Sequence, residues 1–340
     1  MRAAVVPEHG KLELQEVPEP QPTPYDCMVE IDACAVCTGT DTNIIFGNFP
    51  WLVEPPFILG HESTGLIVER GEKVENFELG QRVTRAAGIF PGERVEGIGS
   101  NWGGFAELGL VRDTEAARKA GIEVTPMMAN SRRPIPPDVD PVSGALSVNL
   151  REILSVATRL DFDENSRVVI IGSGYNGMLF SLYAKLCGAG KIVMVGNSER
   201  ALLAEKSFGA DDLTDYRLPN TPEIVADLLD ADPTLVIDAV GKVQSVKLAG
   251  QLLGSDSAFG RYGLHEHEAI QPHLAELENN YETVDLSTNE VAATDRWYEL
   301  WEEGFYEREG ICDGTISLDQ ITDAFEKLAR REAMKLVVTM

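Results

Sequence analysis

One hexapeptide limits this chain more than any other feature. Gly172-Ser173-Gly174-Tyr175-Asn176-Gly177 follows directly on the apolar run 168–171 and leads into a predicted helix over 177–187. Glycine is needed in such a turn because the backbone must bend sharply, admit a pyrophosphate and let the helix pack on the strand, while the helix N-terminus attracts phosphate. The pattern is weak by itself, and a glycine-rich structural turn would also satisfy it. Here the strand, turn and helix stand in the right order, which argues for dinucleotide binding. A strand over 192–195, a helix over 200–208 and strands over 235–238 and 258–262 continue the alternation. Repeated β-α units of this kind predict an α/β, doubly wound parallel sheet.

The end of the second strand bears on which dinucleotide is bound. A NAD site places an acid there for the adenosine ribose, whereas this chain reads Val195-Gly196-Asn197-Ser198-Glu199-Arg200. Glycine removes the charge that would repel a 2′-phosphate, and Asn197, Ser198 and Arg200 are able to donate hydrogen bonds to one. Tyr216 and Arg217, after the next strand, would complete that pocket. These residues favour NADP(H) over NAD(H). The competing account makes Gly196 a strand-end turn and Glu199 a displaced ribose ligand.

The first third has a different rhythm. Short apolar runs at 3–6, 27–35, 65–69, 82–85 and 105–111, broken by Gly, Pro and Asp, predict a β-rich unit. A short helix over 114–120 and a proline-rich connection ending at Pro134, Pro136, Pro137 and Pro141 follow, and helical periodicity resumes from Val148 to about Arg159. After Leu286 come a helix near 295–301, an amphipathic stretch over 318–330 and a final strand over 335–339. At roughly 150 residues per domain, 340 residues suggest two domains.

Charge and cysteine content exclude several classes of function. Aspartate plus glutamate number 55 against 29 lysine plus arginine, a formal charge of -26 that repels nucleic acid and anionic membranes. No apolar run approaches the ~20 residues of a spanning helix, and 1–10 lack a signal-peptide layout. Five cysteines without framework spacing predict no disulfide and a reducing compartment, so a cytoplasmic location is expected.

Cys37, His61 and Glu62 form the second chemical constellation. Thiolate and imidazole are preferred zinc ligands, and three protein ligands with an open fourth position are what catalytic zinc requires. A lone Cys or His would more often be a core residue. Their surroundings carry the argument further. Cys37-Thr38-Gly39-Thr40-Asp41, Gly60-His61-Glu62-Ser63-Thr64-Gly65, Gly80-Gln81-Arg82-Val83 and Gly103-Gly104-Phe105-Ala106-Glu107 occur in that order, ahead of the dinucleotide motif. Taken together they resemble the medium-chain zinc alcohol and polyol dehydrogenases, sorbitol-like branch, over nearly the whole chain.

The resemblance implies a GroES-like β-rich catalytic domain over 1–147, a Rossmann domain over 148–288, and a return to the catalytic domain over 289–340. It implies that Cys37 and His61 ligate one catalytic zinc, with Glu62 as third ligand or close neighbour. Asp41 would orient His61, and Thr40 would hydrogen-bond the substrate oxygen and pass on its proton. Zinc would acidify the alcohol and a hydride would pass to the nicotinamide, or the reverse. A homodimer or homotetramer is also implied.

Several departures from that family matter. Two residues, Thr38 and Gly39, separate Cys37 from Thr40-Asp41 where one is common, which predicts a bulged loop. Asn43 stands where many relatives carry a relay histidine and cannot accept a proton at neutral pH. Counting back from Gly172, the position of a Glu or Cys facing zinc holds Val148. Glu152, one helical turn on, would replace it as zinc ligand or proton acceptor, unless it is an ordinary surface glutamate. The region from Thr84 to Asp113 lacks the four-cysteine lobe of many relatives, so at most one zinc per chain is expected.

Weaker candidates are Phe46, Phe49, Trp51 and Trp102 as pocket walls, Arg132 and Arg133 as an exposed basic pair, and Lys335 on the cofactor pyrophosphate. His265, His267 and His273 read as a solvated loop. The sequence therefore predicts a zinc-dependent, NADP-preferring dehydrogenase of small alcohols, polyols or sugar-like ketones. Two alternatives stay open: a zinc-free reductase of activated alkenes or quinones on the same fold, and a non-enzymatic NADP-binding redox sensor.

Overall fold

The strand Asp26–Ala35 organises the first part of the chain. Cys27, Val29, Ile31 and Ala33 are buried at every second position, as one face of a half-covered strand requires, and Cys34 and Ala35 extend the burial to both faces at its end. The computed structural model describes residues 1–49, 53–90, 92–124 and 134–340, with 198–201 described by backbone alone. Trp51, Arg132 and Arg133, and the side chains of Ser198 and Arg200, therefore lie outside the described residues.

The chain divides into two units. The first comprises Met1–Arg151, Glu290–Phe305 and Ile311–Met340, and the second comprises Glu152–Asn289 and Tyr306–Gly310.

In the first unit, Asp26–Ala35 pairs antiparallel with Glu62–Arg70, Leu108–Arg112 and Val337–Thr339. Its register sets Ala35 opposite both Glu62 and Val337, so the start of one strand and the approach to another, far apart in sequence, meet at one point of the sheet. A smaller sheet joins Arg2–Val6 to Glu13–Glu16 and Phe57–Ile58. Arg112, bonded to buried Asp26 at 2.7 and 3.1 Å, lies over the Phe90 ring at 4.4 Å.

The second unit is built on a six-stranded, all-parallel sheet. Its order is Asp212–Asp215, Lys191–Gly196, Arg167–Ile171, Leu235–Asp238, Ala258–Arg261, Glu282–Thr283. The strand carrying the glycine motif is internal, and Val168, Val169 and Ile170 are fully buried, which explains its unbroken apolar run. The strand order reverses beside it, the switch point at which such sheets bind ligands.

Two stretches differ from the sequence reading. The helix expected from Val148 begins seven residues earlier and spans Pro141–Ala157. Pro141 opens it, where a missing N–H costs nothing, and the Asp140 carboxylate accepts from Ser143 N at 3.0 Å, so the last proline of the connection is a helix start. Part of the expected solvated loop is helical as well, with His273 on Gln271–Asn280, whose Leu274 and Leu277 are buried. No helix among the described residues is long and apolar enough to cross a membrane.

Candidate active site

Cys37 immediately precedes the helix Thr38–Ile45. The two residues expected to bulge are instead its first turn, so helical hydrogen bonding absorbs the extra residue, with Asp41 N donating to Cys37 O at 2.8 Å. Asp41 is fully buried. One of its carboxylate oxygens accepts from Cys37 N at 2.9 Å and the other lies 2.9 Å from His61 Nδ1. A single side chain thus fixes the Cys37 backbone and the His61 ring, and leaves Nε2 as the outward-facing ring nitrogen. Thr40 and Asn43 are half-buried on the same helix.

Glu62 is fully buried at the start of its strand. Its Oε2 accepts from Lys335 Nζ at 2.5 Å, while its Oε1, 3.8 Å from His61 Nε2, is buried and has no hydrogen-bond partner among the described residues. Lys335 is itself buried. Burial pulls its pKa down, but Glu62, then Cys37 and Asp41, outweigh that and hold it above the ordinary lysine value. Its ammonium donates to Glu62 beside His61, whereas the sequence reading sets Lys335 on a cofactor pyrophosphate.

One ligand atom from each of Cys37, His61 and Glu62 lies within 4.8 Å of the others. A thiol, an imidazole and a carboxylate converging in this way form a zinc-type donor set, and the orphaned Glu62 Oε1 is the atom an ion would satisfy. Burial draws the His61 pKa down, but Asp41 and Cys37 outweigh it and hold it well above the usual value. Neighbouring Cys34 is buried, desolvation pushes its thiol pKa well above the ordinary value, and its sulfur is not part of the Cys37, His61 and Glu62 group.

Sequence reasoning missed a second support. Arg85 has a left-handed backbone, with φ of 56°, and its Nη1 donates to His61 O at 2.9 Å while Nε donates to Glu290 at 2.8 Å. An arginine within an apolar strand end was the available signal. Val148 is fully buried and offers no donor. Glu152 belongs to the second unit and is not a member of the Cys37 group.

In the second unit Gly172 has a φ of +116°, and a Cβ added at Gly177 would stand 1.9 Å from Gly172 O. The glycines therefore permit the turn and the close helix packing, while a Cβ at Gly174 would meet nothing within 4 Å, leaving open space at the N-terminus of Tyr175–Leu186. That open, donor-lined turn fits a pyrophosphate. Tyr175 and Asn176 are half-buried in the first turn. A Cβ at Gly196 would lie 2.4 Å from Ser173 Cβ, and Ser173 Oγ accepts from Asn197 N at 3.0 Å. Packing against the glycine motif thus excludes any acid at Gly196. Asp215 lies beside Gly196 in the sheet and pairs with Arg217, which occupies the guanidinium near exposed Tyr216.

Fold and site together define a class. Residues 23–120 match the alcohol dehydrogenase GroES-like domain, and the whole chain is similar to medium-chain zinc-type alcohol dehydrogenases. A sorbitol dehydrogenase of Halalkalibacterium halodurans is 25% identical, over 100% of this chain and 99% of that protein. A Sinorhizobium meliloti dehydrogenase chain solved with NADP bound superposes at a TM-score of 0.78 with 25% identity, covering 100% of this chain and 99% of its own. Benzyl alcohol dehydrogenase from Acinetobacter calcoaceticus superposes at 0.82 with the same coverage, and at 20% identity it bears on the fold alone.

Proposed function

We propose that this protein is a zinc-dependent oxidoreductase that transfers a hydride between a nicotinamide cofactor, NADP(H) in preference to NAD(H), and a small alcohol, polyol or sugar-like ketone. The observation that carries this reading is the buried Glu62 Oε1, to which no described residue hydrogen-bonds, beside Cys37 and His61. A zinc-free reductase would leave that oxygen desolvated without return. Bound there, zinc supplies Lewis-acid activation of the substrate oxygen.

The rest is done by the chain itself. Asp41 holds His61 by Nδ1 and Cys37 by its backbone N–H. Thr40 accepts a hydrogen bond from the substrate hydroxyl and passes its proton on, releasing its own hydroxyl proton toward solvent as it takes the substrate's. Glu152 stands in for the ligand missing at Val148, as fourth ligand or as proton acceptor. Gly172, Gly174 and Gly177 admit the pyrophosphate, with Asn197 donating to the ribose 2′-phosphate and Tyr216 completing that pocket. Support for NADP comes from the acid excluded at Gly196 and from the NADP-bound relative. The polyol reading draws on the sorbitol dehydrogenase relative. A cytoplasmic homodimer or homotetramer accords with the five free cysteines and the family likeness.

The test is a paired titration with NADPH and NADH, followed by turnover of an alcohol and ketose panel with and without chelator. Tighter NADPH binding and chelator-sensitive turnover are expected, and chelator-resistant turnover would refute the metal role. Glu152→Ala should lower zinc content and activity together with the fold intact, and unchanged kinetics would remove Glu152 from the site.

A further inference from the structure

Trp102 carries a cost that its position does not require. Its φ is +66°, a region that glycine and asparagine occupy readily and that a bulky aromatic residue enters only under strain. The backbone around it is held firmly. Asn101 N donates to Ile58 O at 3.0 Å, Gly104 N to Gly60 O at 2.7 Å and Phe105 N to Leu59 O at 2.9 Å, all on the segment leading into His61. Gly103 is also left-handed, and a Cβ there would meet Gly88 N at 2.9 Å. The loop thus imposes the conformation whatever residue stands at 102, and glycine would suit it best.

What the tryptophan adds is its ring. The indole lies 5.3 Å from the His61 imidazole, tilted at 47°, and 6.3 Å from Phe49, which meets it edge-on. Trp102 remains half-exposed, whereas Phe49 is buried. An apolar face is therefore presented beside the metal-binding group, backed by a second aromatic ring.

We propose that Trp102 is a specificity-determining residue whose indole, supported by Phe49, packs against an uncharged, C–H-rich ring or face of the substrate next to its carbinol carbon. This rests on reading Cys37, His61 and Glu62 as the alcohol-activating centre. The negative face of an aromatic ring attracts polarised C–H groups and repels carboxylates, and the net charge of -26 opposes anionic substrates further. A hydrocarbon ring and the C–H face of a cyclic polyol share this chemistry.

The experiment compares wild type, Trp102→Gly and Trp102→Phe, each loaded with zinc, on benzyl alcohol, inositol, 2-propanol and gluconate. In Trp102→Gly the kcat/KM ratio of the preferred ring substrate to 2-propanol should fall about tenfold, mainly through KM, and Trp102→Phe should recover part of it. Whichever ring loses more identifies the hydrocarbon or the polyol source. The Trp102→Gly melting temperature should hold or rise as strain is relieved. An unchanged ratio, a uniform fall across all substrates, or gluconate as the best wild-type substrate would overturn the proposal. If the wild type turns over none of them, the dehydrogenase reading fails separately, and calorimetry on the zinc- and NADPH-loaded protein decides the inference. Ring-alcohol binding that weakens about tenfold in Trp102→Gly upholds it, and absent or unaltered binding overturns it.

Discussion

Glu62 and Lys335 form a pair with almost no solvent contact, their side chains 0% and 2% exposed. Removing one partner strands a buried charge, so Lys335→Met should cost about 3–5 kcal/mol in urea unfolding. The double variant Glu62→Gln, Lys335→Met should regain much of that stability while failing to hold zinc, which metal analysis would show. Equal losses in single and double variants would mean that the pair is not what the stability rests on. The same pair marks a limit of sequence reading. Cys37, His61 and Glu62 were legible because their flanking motifs are local, but the partner of Glu62 lies 273 residues away and is placed by the pairing of Ala35 with Val337. Arg85 escaped for a like reason, since its target is a backbone carbonyl that leaves no trace in the sequence.

Asp113 ties together several local elements. Its carboxylate accepts from Ala116 N at 3.0 Å at the start of Thr114–Lys119, and from Glu75 N and Asn76 N at 2.7 and 2.8 Å across a turn. Burial pushes its pKa up, but the bonds from Ala116, Asn76 and Glu75 together outweigh this and leave it below the usual aspartate value. A depressed carboxylate contributes stability above its unfolded pKa, near 4, and that contribution is lost as pH falls through the folded value. Asp113→Asn should therefore cost about 1–2 kcal/mol at pH 7 and progressively less toward pH 3, read by urea unfolding at both. A gap that widens on acidification would refute the assignment. Elements of this size were legible where periodicity was strong, as at Leu235–Asp238, whose bounds match the expected 235–238. The start of Pro141–Ala157 was missed because proline reads equally as coil and as a first helical residue, and capping by Asp140 decides between them.

For the whole molecule, the architecture was readable from two rhythms, short broken apolar runs and then β-α alternation, because each reflects which faces of an element are covered. The pairing order of the first unit was not, since it depends on contacts between distant strands. The net charge of -26 is also a property of this scale. Self-repulsion loosens the folded state, and raising KCl from about 0.1 M to about 1 M shortens the screening length from about 10 Å to about 3 Å. The melting temperature should rise over that range, and a fall would show that surface repulsion is not a significant burden. The central claim is that Cys37, His61 and Glu62 hold a catalytic zinc, and elemental mass spectrometry of the purified wild type and Cys37→Ser tests it most directly. About one zinc per wild-type chain, lost in the variant along with alcohol-dependent reduction of NADP, is the expected result. Wild-type protein that retains no zinc even after reconstitution would contradict it.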